Sequence, residues 1–124
     1  MTRSKHLGDA AEALATAGWR ILARQVRIGR DELDLVALDP GPPPALVVVE
    51  VRWRTRSEFG LPEETIDCRK LARIRRAVLR LLAARRFPDG RPLPRAPVRI
   101  DVVVLRPAPG TGGRVALRHL RAVE

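Results

Sequence analysis

The chain has 124 residues, is 45% hydrophobic, and carries 24 Lys+Arg against 14 Asp+Glu, a net charge of +10. That apolar content excludes a disordered chain and is enough for one ordinary core. No apolar run reaches the roughly 18 residues of a membrane span, and the single cysteine, Cys68, excludes an intrachain disulfide. His6 and His119 are the only histidines, which argues against a zinc site or a Ser-His-Asp triad. No apolar signal segment follows Met1-Thr2-Arg3-Ser4-Lys5-His6, so the expected setting is cytoplasmic. The excess of arginine points to a polyanionic partner, nucleic acid first.

Residues 4–17 are predicted to form a helix: Leu7, Ala11 and Leu14 fall on one stripe, Ser4 can cap its start and Gly18 can end it. Glu12 lies toward the edge of that stripe. A strand over 19–28, a turn at Gly29-Arg30-Asp31 and a second strand over 32–38 read as an antiparallel hairpin. Asp39-Pro40-Gly41-Pro42-Pro43-Pro44 interrupts the sheet, because proline has no donor for a ladder. Residues 45–54 are nearly all apolar through the middle, as a central strand covered on both faces requires.

After a loop containing Phe59-Gly60, Pro62 opens a long second helix over 63–86. Its apolar stripe is Ile66, Leu71, Ile74, Val78, Leu81 and Leu82. Arg69, Arg73, Arg76 and Arg80 form another, with no acidic residue from 69 to 86. A solvated helix face mixes both charge signs, so the single-sign stripe reads as phosphate contacts. A Pro-rich loop over 87–97 leads to a strand over 98–105, with Ile100, Val102 and Val104 inward and Asp101 on the opposite parity. A connection over 107–113 leads to a last amphipathic segment over 114–123, strand or helix. Three meandering strands, a crossover helix and a fourth strand imply one α/β domain over residues 1–124, an αβββαβ mixed sheet flanked by helices.

Chemistry is expected where two strands carry misplaced acids. By alternation, Leu33, Leu35 and Ala37 share one face, and Glu32, Asp34, Val36 and Leu38 the other. In the next strand Val47, Val49, Val51 and Trp53 oppose Leu46, Val48, Glu50, Arg52 and Arg54. Asp34 and Glu50 therefore interrupt apolar faces in successive strands. A buried carboxylate is costly unless paired. The candidate partners are Arg52, on the same face as Glu50, and a metal ion held jointly by Asp34 and Glu50. By the same parity Trp53 reads as core or rim, Glu32 as a turn-end charge, and Cys68 as a small packed residue rather than a nucleophile.

Four stretches carry a resemblance in order: Gly8-Asp9-Ala10-Ala11-Glu12-Ala13-Leu14-Ala15; Gly18-Trp19-Arg20-Ile21-Leu22-Ala23-Arg24-Gln25-Val26-Arg27; Asp31-Glu32-Leu33-Asp34-Leu35-Val36-Ala37; and Val49-Glu50-Val51-Arg52-Trp53-Arg54, with Phe59-Gly60 and Lys70 following. Together they resemble the PD-(D/E)XK nuclease core, and more closely the YraN-type family of small bacterial nuclease-like proteins, related to Holliday-junction resolvases. The resemblance implies a restriction-endonuclease-like fold with a catalytic set of Asp34, Glu50, Arg52 and Glu12. It implies that Asp34, Glu50 and the Val51 carbonyl hold a divalent cation, with Glu12 contributing through water. Oxygen-only ligation suits Mg²⁺ or Mn²⁺. Arg54, Arg56 and Lys70, with Arg69, Arg73, Arg76 and Arg80, are then the nucleic-acid contacts. The implied activity is metal-dependent endonucleolytic hydrolysis of phosphodiester bonds in DNA, branched or damaged, in recombination or repair. It leaves room for a homodimer. Two positions depart from the pattern. Arg52 stands where the family has Lys, and the chain between Ala15 and Gly18 is shorter by about one helical turn. The contrasting function is a non-catalytic nucleic-acid-binding module on the same scaffold, for which Asp34 and Glu50 are dispensable.

Overall fold

The computed structural model describes residues 3–54, 68–108, 110 and 112–123. Helix α1, Arg3–Thr16, buries Leu7, Ala10, Ala11 and Leu14, the stripe that the helical period predicts. Gly18, at φ +95°, ends it: its N–H donates to Ala15 O, and the Trp19 N–H reaches back to Leu14 O. This paired closure of orphan carbonyls is why glycine stands there. Ser4 lies inside the helix rather than at its cap.

Strands β1 (Arg20–Ile28), β2 (Asp31–Asp39) and β3 (Ala45–Trp53) form an antiparallel meander. Helix α2, Cys68–Ala84, then crosses over, so that β4 (Val98–Pro107) pairs with β3 in parallel. The predicted start of α2 at residue 63 falls outside the described residues. Its far end comes two residues before the expected 86, with Arg85 at φ +57° beyond it. The last segment is a strand, β5 (Val115–Leu120), antiparallel to β4. The result is an α/β fold with one five-stranded mixed sheet, ordered β1-β2-β3-β4-β5. It is the expected αβββαβ restriction-endonuclease-like core with a fifth strand added. No helix of the described residues is long and apolar enough to cross a membrane.

The helices cover opposite faces. Beneath α1 lie Leu35, Ala37, Val47, Val49, Val51, Val103 and Leu105. Beneath α2 lie Leu33, Val36, Leu46 and Val48, against Ile74, Ala77, Val78 and Leu81. The central strands β3 and β4 are thus buried on both sides. In β4 Val102 and Val104 are buried and Ile100 packs under α2 as expected, and Val103 and Leu105, on the opposite parity, are buried as well and form part of the floor beneath α1.

Candidate functional site

The β2–β3 ladder runs from Asp39↔Ala45 to Leu35↔Val49 and stops there. The next rung would join Leu33 to Val51, yet the Val51 N–H donates instead to Asp34 Oδ2 at 2.8 Å. β1 stays with β2 as far as Ile28↔Asp31, so the hairpin leaves β3 at Asp34. Gln25, opposite Asp34 between the rungs Arg24↔Leu35 and Val26↔Leu33, has φ +49°. A side chain in that left-handed region costs about 1 kcal/mol or more. The kink also redirects side chains: Leu35 and Ala37 pack under α1, whereas Leu33 joins Val36 under α2. Simple alternation, which puts Leu33 with Leu35 and Ala37, holds only while the strand stays regular.

The opening holds two buried carboxylates. The side chains of Asp34 and Glu50 are 3% and 2% exposed. Arg3, at the start of α1, puts its guanidinium on Asp34 Oδ1 and 3.9 Å from Glu50 Oε1. Lys70, in the first turn of α2, brings Nζ to 3.2 Å from the same Oε1. Among the described residues, that Oε1 is a buried oxygen without a hydrogen-bond partner. Burial, and next the charge of Asp34, push the Glu50 carboxyl up to about 7, against the opposing pull of Lys70. A cavity of about 310 Å³ opens at Asp34, lined in part by Arg3, Arg30, Glu32, Asp34, Lys70 and Arg73, the two cations beside Glu50 among them.

Two carboxylates and the Val51 carbonyl, which in an extended strand points to the same edge as the Val51 N–H, make an all-oxygen donor set. No group of three or more His, Cys, Asp and Glu gathers among the described residues. The set therefore fits an ion that takes few protein ligands and keeps several waters, as Mg²⁺ does. A larger cavity, about 600 Å³, lies at the far end of β2, against Trp19, Asp39, Arg99 and Arg121. Its charges already answer one another: Arg99 pairs with Asp39 and Asp101, and Arg121 with Asp39. The unsatisfied oxygen is at the smaller one.

A family model described as "Uncharacterised protein family UPF0102" matches residues 8–105. The chain belongs to the UPF0102 family. It is 39% identical over 123 residues to the UPF0102 protein of Symbiobacterium thermophilum, covering 95% of each chain. It is 40% identical over 97 residues to that of Lachnoclostridium phytofermentans, covering 78% of this chain and 75% of the relative. A third relative, from Deinococcus radiodurans, is 36% identical over 115 residues, covering 89% and 88%.

In this UPF0102 chain the structure brings Asp34, Glu50, Val51 and Lys70 together, and it leaves Glu12 out. Glu12 is exposed. It lies nine residues from Arg3, about two and a half turns, and so projects from the opposite side of α1. With the helix shortened before Gly18, α1 brings a cation to the pair and no carboxylate. The Glu50–Arg52 ion pair is also absent among the described residues: the cations beside Glu50 are Arg3 and Lys70. Arg52 is half-buried, with a buried Nε that has no hydrogen-bond partner.

The arginine stripe of α2 divides by what each residue touches. Arg76 makes two hydrogen bonds to buried Asp31, at 2.9 and 2.8 Å, and so ties α2 to β2. Arg80 lies over Gly29, where a Cβ would collide with its guanidinium. Arg69 and Arg73 are exposed, Arg73 at the cavity, and Arg54 is exposed at the end of β3. Arg56 lies outside the described residues. Trp53 is half-buried and stacks on His6, with centroids 4.3 Å apart. Cys68 is exposed rather than packed. Arg3 and Arg30 were not legible as site residues, since nothing in the spacing of either marks its proximity to Asp34.

Proposed function

We propose that this protein is a metal-dependent DNA endonuclease. The observation that supports it is the buried Asp34–Glu50 pair, with its unbonded oxygen, where β2 parts from β3 at a basic cavity. A protein of net charge +10 that also buries two adjacent carboxylates needs a reason to keep them. Asp34, Glu50 and the Val51 carbonyl would hold Mg²⁺ or Mn²⁺, which supplies charge neutralisation on a phosphate and a hydroxide nucleophile near neutral pH. Arg52 keeps its proton throughout the working range, so its part is donation to a phosphate oxygen and never proton abstraction. Arg73 and Arg54 add contacts to the phosphate backbone. Lys70 holds the Glu50 carboxylate in place. The preference for branched or damaged DNA follows from the likeness to junction resolvases.

A panel of single-stranded, duplex, flapped and four-way DNA, incubated with Mg²⁺ or Mn²⁺, tests the reading. Wild type cuts at least one member. Asp34→Asn and Glu50→Gln lose at least about a hundredfold in rate while still binding DNA. One observation favours the competing reading, a non-catalytic binding module: Arg3 already neutralises Asp34. Tight binding by all three proteins with no cutting by any would decide for the module.

A further inference from the structure

We infer that Arg3 is a resident counter-cation, which a divalent ion must displace before it can occupy the Asp34–Glu50 pair; this rests on the metal-binding reading above. Arg3 contacts Asp34 Oδ1 and stands 3.9 Å from Glu50 Oε1, so one guanidinium lies against an oxygen of each carboxylate. Lys70 supplies the second positive charge, at 3.2 Å. Two carboxylates and two cations formally cancel. A divalent ion adds its charge to whatever stays in the cluster, so it enters against less repulsion once one of these cations has left.

Of the two cations, Arg3 is the one built to leave. Its side chain is 49% exposed against 29% for Lys70. It sits at the first residue of α1 and lines the same 310 Å³ cavity as Arg30 and Arg73, so it can turn from the carboxylates into that space without unwinding the helix. A phosphodiester anion in the cavity would give the released guanidinium a new partner, well suited to its fork of donors. Metal and polyanion would then each favour the arrangement that accepts the other.

Mn²⁺ binding without DNA, followed by electron paramagnetic resonance at neutral pH, tests this in wild type, Arg3→Ala and Arg3→Lys. If Arg3 leaves the carboxylates free about a tenth of the time, Arg3→Ala binds Mn²⁺ about tenfold tighter. Arg3→Lys, which keeps the charge, stays near wild type. Asp34→Asn abolishes the site in either background. Equal affinity in wild type and Arg3→Ala overturns the role of Arg3 and leaves the metal site standing. Mn²⁺ bound by none of the proteins overturns both. Thermal melts of each variant confirm that the comparison is between folded proteins.

Discussion

Glu50 shows at one residue what the fold imposes and what it gains. Burial beside Asp34 raises its carboxyl to about 7, above its ordinary range. Between its unfolded value and 7 the folded state therefore binds more protons than the unfolded one, so stability falls as pH rises across that window. Thermal unfolding of wild type against Glu50→Gln from pH 4.5 to 8.5 should show the difference. The wild-type midpoint drops by about 10 °C more over that range than that of the variant, which cannot titrate. Parallel curves would mean that Glu50 is not protonated in the native protein. Asp101 is the opposite case. Burial alone would raise it, but His119 at 2.8 Å, Arg99 and the Ala122 N–H hold it below the usual carboxylate range. Its contribution is present at neutral pH and is lost as pH falls through its lowered value. Asp101→Asn breaks a buried ionic cluster and should cost about 3 kcal/mol in a denaturant titration at pH 7.

At the scale of elements, the meander, the crossover helix and the fourth strand were legible because each rests on a local rule: helical period, proline exclusion, a continuous apolar run. The last element stayed open between strand and helix, because its pairing with β4 depends on a partner far away in sequence. The two site acids were legible as interruptions of apolar strands. The kink that brings them together was not, since it depends on Gln25 taking a backbone conformation its sequence does not advertise. Gln25→Val, a β-branched residue at positive φ, should therefore destabilise by about 1–2 kcal/mol, measured by urea unfolding. No loss would mean that the kink has another origin. The α2 stripe shows the same limit: identical residues at helical spacing have different tasks. Arg76→Ala should lower stability, because buried Asp31 loses its partner, and leave DNA affinity nearly unchanged. Arg73→Ala should do the reverse, in paired melts and binding isotherms.

For the whole molecule, the charge of +10 overstates the contact surface, because many arginines are spent internally on Asp31, Asp34, Asp39, Asp89 and Asp101. With Arg52, Arg54, Arg69 and Arg73 as phosphate contacts, the slope of log affinity against log salt should be about −3 to −4. A slope near zero would remove nucleic acid as the partner. Two helices on opposite faces cover β3, and the β1–β2 hairpin parts from it at Asp34. Whether this opening takes a divalent cation is read from a crystal soaked in Mn²⁺. A resident ion gives an anomalous peak about 2.2 Å from oxygens of Asp34 and Glu50, with Arg3 turned into the cavity. Saturating Mn²⁺ with no peak there, and Arg3 still on Asp34, would contradict the metal-binding reading.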